Sequence, residues 1–180
     1  MTPSQISFMP QFYDRYIQLV PEMDIIEALE TQYGENYIHA NIFEYERLGD
    51  KVYAPNKWTI KDILQHAIDT ERIFACRALR LARFDKTPLP GYDENDYAAH
   101  SNASRRKLMD LIYEFVTVRK STTALFKSFD SEQLLASGQV SNIDNNVLAI
   151  GFSIVGHWIH HKNVILDRYI PLLKKDKVIG

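Results

Sequence analysis

Cysteine is nearly absent: Cys76 stands alone, so no internal disulfide can form. A chain without disulfides suits a reducing compartment, and the cytoplasm is the expected location. Strong charge of either sign is missing too. Lys and Arg total 21 against 23 Asp and Glu, a formal net charge of −2, which gives no footing for non-specific nucleic-acid binding. No apolar run approaches the ~20 residues of a membrane-spanning helix. The opening Met1-Thr2-Pro3-Ser4-Gln5 lacks a basic region followed by an apolar stretch, so no signal peptide is expected. Glycine and proline are scarce, seven of each, and the prolines cluster between periodic segments. That scarcity suits helices. With 46% hydrophobic residues, the 180-residue chain can bury a substantial core, and 1–180 reads as one domain whose core spans about 10–171.

Four periodic segments are separated by breakers. Ahead of them, Phe12, Tyr13, Tyr16, Ile17 and Val20 form an aromatic leg that ends at Pro21. A first helix is predicted from Asp24, with Glu27 in capping-box spacing. It carries Ile25, Leu29, Tyr33 and Tyr37 on one side and fades around Phe43 to Leu48, and Gly34 weakens it. Tyr53-Ala54-Pro55-Asn56-Lys57 is a breaker. Thr59 and Asp62 then open a second helix that reaches about Phe84. Cys76 falls inside this apolar stretch, where a buried structural thiol is expected. Lys86 to Tyr97 forms a long ordered connection. The third helix is predicted to start near Ser101 or Ser104, with Leu108, Leu111, Ile112, Phe115, Val118, Thr122, Leu125 and Phe129 at helical spacing. Ser137-Gly138 breaks the chain, and a fourth helix runs from about Asp144 to just before Pro171. Four long helices in a chain of this length predict an all-α fold, a four-helix bundle.

Three histidines stand out. His157 and His161 lie one turn apart, and i, i+4 spacing puts both imidazoles on one side of a helix, close enough to share a divalent ion. His66, from the second helix, would complete a three-ligand site with open positions, the arrangement of a catalytic rather than a structural metal. At ~100° per residue, Ile150, Ile154, His157, His161, Ile165 and Arg168 share one stripe of the fourth helix. Ile63, His66, Thr70, Ile73, Arg77, Leu81 and Phe84 share one stripe of the second. Imidazoles among core aliphatics need partners. Two readings stay open: three separately hydrogen-bonded core histidines, or a metal site. His157 with His160, at i, i+3, also chelates, although phase favours His161. His39 and His100 read as surface or loop residues.

Neighbouring residues constrain the chemistry. Glu71 lies on a different side of its helix from His66, and no general base is identified. Asp69 and Thr70 are better placed to orient a ligand. Arg77 lies ~16 Å along the axis from His66, beyond contact with an ion. Arg77 and Arg168 are expected to cap helix ends or pair with carboxylates. Val155, Ile159 and Leu166 make the fourth helix apolar on the side away from the proposed ligands as well. Either the aromatic leg or a second subunit must cover that side, and a homodimer is the expectation.

Tyr53-Ala54-Pro55-Asn56-Lys57-Trp58-Thr59-Ile60, followed by His66-Ala67-Ile68-Asp69-Thr70-Glu71-Arg72, resembles the second-helix signature of the DinB/YfiT-like superfamily. Arg77-Ala78-Leu79-Arg80 and then Pro88-Leu89-Pro90-Gly91-Tyr92-Asp93-Glu94 resemble the connection of one DinB-like branch. Val155-Gly156-His157-Trp158-Ile159-His160-His161 resembles its fourth-helix metal motif. The resemblance spans about Pro10 to Pro171. It implies a four-helix bundle in up-down-down-up order, often dimeric. Its metal ligands would fall on His66, His157 and His161, with zinc or nickel as the ion. Relatives include bacillithiol S-transferases, mycothiol-dependent isomerases and proteins described only as metal-dependent hydrolases. The implied activity is that of a metal-dependent enzyme of thiol S-transferase or hydrolase type, acting on a small molecule, with a low-molecular-weight thiol as candidate cofactor. The alternative is a non-catalytic metal-binding or structural bundle that mediates protein association. Neither a nucleic acid nor a membrane is an expected partner; the family name is shared with a DNA polymerase but refers here to the bundle.

In that topology helices two and three run parallel, so their connection must travel the length of the bundle. Asp85 to Ala103, if extended, spans up to ~60 Å, against ~39 Å for a helix of about 26 residues. It can return to the His66 end, bringing Tyr92, Asp93, Glu94, Asp96, Tyr97 and His100 as candidate pocket walls. A solvated acidic loop is the other reading.

Overall fold

The computed structural model describes residues 1–31 and 41–175. The predicted positions of Tyr33, Gly34, Tyr37 and His39 lie outside the described residues. In chain order the described elements are α1 (Asp14–Ile17), α2 (Ile25–Thr31), α3 (Ile42–Leu48), α4 (Ile60–Ala82), α5 (Glu94–His100) and α6 (Leu108–Lys127). There follow α7 (Ser131–Leu135), a hairpin of β1 (Ser137–Val140) and β2 (Ile143–Asn146), α8 (Val147–Val164) and α9 (Leu172–Lys175). The fold is the expected four-helix bundle in up-down-down-up order, with the hairpin as a minor addition. Helices α4, α6 and α8 pack around a core that includes Leu64, Phe115, Phe126, Phe152 and Trp158.

Local chemistry sets the register of the helix that carries His66. Thr59 Oγ1 accepts from Asp62 N at 3.2 Å, and Asp62 Oδ2 accepts from Thr59 N at 2.9 Å. This reciprocal cap satisfies two otherwise orphaned donors and stabilises the helix start by about 1 kcal/mol. Helix α4 stops at Ala82, two residues short of expectation, because Phe84 turns left-handed at φ 56°. Halfway along, Glu71 and Arg119 form a buried two-bond ion pair, each bond 2.8 Å, that ties α4 to α6.

The connection between α4 and α6 is ordered but not fully extended. Asp93 caps α5, accepting from Asn95 N and Asp96 N at 2.8 and 3.1 Å. A 3-10 turn at Ala103–Arg105 follows, so α6 begins at Leu108 rather than near Ser101 or Ser104. The residues around Ser137-Gly138 and Asp144 also differ from expectation. They form a hairpin, and the fourth bundle helix starts only at Val147. Ser141 and Asn142 form its two-residue turn, with φ of 54° and 63°, the left-handed pair that suits the twist of a tight hairpin. Leu89 docks on it: Leu89 N donates to Gln139 O and Ser141 N donates to Leu89 O, both at 2.9 Å. The hairpin thereby pins the connection to the bundle.

Helix α8 is buried on every side from Val147 to Trp158. Its start is fixed by Asn146, which accepts from Ala149 N at 2.8 Å and donates to Phe8 O at 3.2 Å. The aromatic leg with α1 covers one flank, burying Tyr13, Ile17 and Val20. The chain itself thus supplies cover for the Val155 side. After Val164 the helix widens into one π turn, Ile165–Tyr169, before Pro171. Among the described residues no helix is long and apolar enough to cross a membrane.

Candidate metal centre

The two helices deliver the three histidines to one point. His66 Nε2 and His157 Nε2 are 3.0 Å apart, and His161 Nε2 stands 3.1 Å from His157 Nε2. One ligating nitrogen from each ring lies within 4.8 Å of the other two. Two nitrogens bound at ~2.0–2.1 Å to a tetrahedral ion stand ~3.3 Å apart, so the rings need almost no movement to share a cation. Each neutral imidazole offers one lone pair and one N–H. Three converging Nε2 atoms cannot all be satisfied by one another, whereas a divalent ion accepts all three lone pairs. The donor set therefore fits a divalent metal.

Burial prepares the ligands. His66 and His157 are each only 6% exposed, and His161 is half-buried. Desolvation pushes the His66 pKa down to about 4, with the nearby His160 adding to the effect. Burial first, then the neighbouring imidazoles, holds His157 and His161 well below the ordinary histidine range. All three stay neutral at physiological pH, the form that ligates. His160 is exposed and outside the cluster; it stacks edge-on near Tyr16 at 5.7 Å. The ring that joins His66 and His157 is that of His161, the one helical phase favours over His160. His100 is also a surface residue, with Nδ1 2.8 Å from Asp96 O.

Aromatic rings wall the triad. Trp58 lies 4.7 Å from the His66 ring and stacks at 6.4 Å on His161. Tyr16 meets His157 edge-on at 5.2 Å, and Phe74 lies 6.4 Å from the same ring. The Tyr169 hydroxyl donates to Trp58 O, clamping the end of the α8 segment to the start of α4. Burial raises the Tyr169 pKa to about 12, so it remains a donor. Sequence reasoning gave Trp58, Tyr16 and Tyr169 no role. Trp58 and Tyr16 meet the triad from different elements and Tyr169 holds Trp58 in place, encounters about which helical phase reports nothing.

Two clefts reach the triad, one at His157 and the other at His161. One, of about 260 Å³, opens on His157 and is bounded by Tyr16, Thr70, Phe74, Arg77, Tyr92 and Glu94 among others. The second, of about 250 Å³, opens on His161 beside Trp58, Lys57 and Asn95. The α4–α6 connection therefore does contribute walls: Tyr92 and Glu94 to the first cleft, Asn95 to the second. Asp96, Tyr97 and His100 border a separate cavity with Asp69. Neither Asp69 nor Thr70 bonds a ligand ring among the described residues. Asp69 accepts from Gln65 Nε2 at 2.9 Å, and Thr70 Oγ1 pairs with the Tyr92 hydroxyl at 2.7 Å.

Two other expectations are corrected. Cys76 is exposed, not buried, because it shares the solvent face of α4 with Arg72 and Leu79. Among the described residues Arg77 neither caps its helix nor pairs with a carboxylate. Its Nη2 donates to Pro90 O at 2.6 Å and to Ser141 Oγ at 3.3 Å, across the bundle surface to the connection and hairpin. Arg168 is exposed within the π turn.

A profile of the DinB superfamily matches residues 14–165. The chain belongs to the DinB superfamily. The match runs from α1 through the first residue of the π turn and includes all three histidines. A solved structure matches as well: YfiT from Bacillus subtilis, at a TM-score of 0.66 and 15% identity, covering 92% of this chain and 90% of that chain. That protein is described as "a probable metal-dependent hydrolase with an unusual four-helix bundle topology". At this identity the likeness establishes the DinB-type fold. No curated protein matches significantly.

Proposed function

We propose that this DinB-superfamily chain is a metal-dependent enzyme of hydrolase or thiol S-transferase type, with His66, His157 and His161 as the ligands of a zinc or nickel ion. The observation that carries the reading is the convergence of three neutral imidazoles, two buried and one half-buried, with 3.0 and 3.1 Å between their Nε2 atoms, where two clefts open on them. The description of YfiT as a probable metal-dependent hydrolase points the same way. An ion held by three neutral ligands keeps its full charge, and it supplies acidification of a bound water or of a low-molecular-weight thiol. The chain's own residues bind and shield. Trp58 and Phe74 exclude water from the ligand rings. Tyr16, its hydroxyl pKa raised by burial, stays protonated as a donor beside His157. Tyr92 and Thr70 hold each other and fix the first cleft's wall.

Elemental analysis of the purified protein tests the site. The wild type should carry about one zinc or nickel ion per chain, a count that follows from the one three-ligand cluster among the described residues. His66→Ala, His157→Ala and His161→Ala should each lose the ion, and His160→Ala should keep it. Wild-type metal content in all three alanine variants would refute the assignment. Turnover is then sought with esters and amides, and with small thiols plus electrophiles. A protein that holds its metal but turns over none of these is a metal-binding bundle, the competing reading. Self-association is a separate proposal: the leg covers the Val155 side, while Leu166 stays 41% exposed, and sedimentation velocity decides whether a second copy covers it.

A further inference from the structure

Arg77 is an anomaly in the cleft that opens on His157. Its side chain is only 6% exposed, yet its hydrogen-bond partners among the described residues are neutral: Pro90 O and Ser141 Oγ, both reached through Nη2. No carboxylate among the described residues pairs with it. A buried guanidinium without a counter-charge is costly, and that cost is recovered when an anion arrives. The group is also presented as a recognition element. Its Cζ lies 5.5 Å from the Phe74 ring centre and 5.7 Å from that of Tyr92, between two walls of the cleft. Nη2 is anchored, which presets the planar fork for a bidentate partner.

We infer that this cleft receives a small monocarboxylate with an apolar body, its carboxylate on Arg77 and its reacting end toward His157; this rests on the metal-site reading above. The walls between the two ends are aromatic: Tyr13, Tyr16, Phe74 and Tyr92. The other charges at the cleft select among anions. Glu94 stands exposed on its rim, and Arg15 lies outside, stacked 3.7 Å over Phe12 and 5.1 Å from Tyr16. Glu94 repels a second negative charge near the mouth, so a monoanion is preferred to a phosphate monoester. The spacing suits a ligand that reaches between the sites. Arg77 lies ~16 Å along α4 from His66, and Phe74 touches both ends of the path, at 5.5 Å from Arg77 and 6.4 Å from His157.

Calorimetric titration of chelator-stripped and zinc-loaded protein with 3-phenylpropionate, 3-phenylpropionamide and phenyl phosphate tests this. The stripped wild type should bind the carboxylate at least about tenfold more tightly than the amide, with phenyl phosphate weaker than the carboxylate. Arg77→Gln should bind carboxylate and amide alike. Circular dichroism and zinc content of Arg77→Gln report whether the fold persists. Should that variant fail to fold, nuclear Overhauser contacts from bound 3-phenylpropionate to the Phe74 and Tyr92 rings of the wild type locate the ligand instead, and their absence overturns the proposal. So does equal binding of acid and amide by the stripped wild type, a preference that survives Arg77→Gln, or tighter binding of phenyl phosphate. A preference seen only with zinc, and lost in His161→Ala, places the carboxylate on the metal; Arg77 then fails while the metal reading stands. A preference intact in protein that binds no zinc or nickel has the opposite meaning.

Discussion

The backbone carbonyl of Tyr16 lies against the Cα of Gly156: a Cβ built there would stand 1.9 Å from the oxygen. No side chain can relieve that overlap, because the obstacle is main chain. Gly156 is therefore the notch that seats the aromatic leg on α8, one residue before His157. Gly156→Ala should force the leg outward and cost roughly 2–3 kcal/mol, the upper part of the range for overpacking. It should also withdraw the Tyr16 ring from His157. Urea denaturation gives the first quantity. Limited proteolysis at Arg15 gives the second, and an unchanged cleavage rate would show that the leg keeps its seat.

The histidine stripes were legible because both helices are long and regular, so phase carries over many turns. The same arithmetic failed where a local conformation intervened. Ser141 and Asn142 adopt left-handed φ values and fold a hairpin out of residues given to a break and a helix start. Nothing in the apolar spacing marks that turn; the only hint is the tolerance of Asn for such angles. Cys76 was misjudged because an apolar stretch says little about which side faces solvent. Arg77 was misjudged because its acceptor, Pro90 O, belongs to a connection whose path no periodicity describes.

The Glu71–Arg119 pair should be a structural clamp with no part in the chemistry. Glu71→Ala removes the carboxylate to which Arg119 Nε and Nη2 donate, in a place where Glu71 is 3% exposed. Breaking one side of such a buried pair costs roughly 3–5 kcal/mol. The double change Glu71→Leu with Arg119→Met should recover most of that loss, since two apolar side chains can fill the space. Chemical denaturation of the wild type and the two variants checks both statements. Metal content should follow the folded fraction alone.

Acid should destabilise the metal-stripped protein in a window set by its histidines. In the unfolded chain a histidine titrates near 6.5, whereas folded His66 titrates at about 4. Between those values the unfolded chain binds more protons, so stability falls as the pH drops from about 6.5 to about 4. His66 alone contributes on the order of 3 kcal/mol across that span. His157 and His161, also held well below the ordinary histidine range by burial, add to the same slope. Thermal melts of stripped protein from pH 7.5 to pH 4.5 should show the decline, and His66→Leu should flatten it. A wild-type melting temperature independent of pH over this range contradicts the buried, neutral state of the triad.

Trp58 offers an optical report on the triad, because its ring lies 4.7 Å from His66 and stacks on His161 while Trp158, the other tryptophan, packs against Phe115 in the core. Open-shell nickel beside the first indole should quench its emission, and closed-shell zinc should shift it without comparable quenching. Titrating nickel into stripped protein should thus lower fluorescence until the site is full. Trp58→Phe should remove the response while leaving the residual Trp158 emission unchanged by the metal. His161→Ala should remove it for a different reason, the loss of the ion, which elemental analysis separates from the loss of the reporter. Quenching that persists undiminished in Trp58→Phe would show that the indole beside His66 is not the reporter.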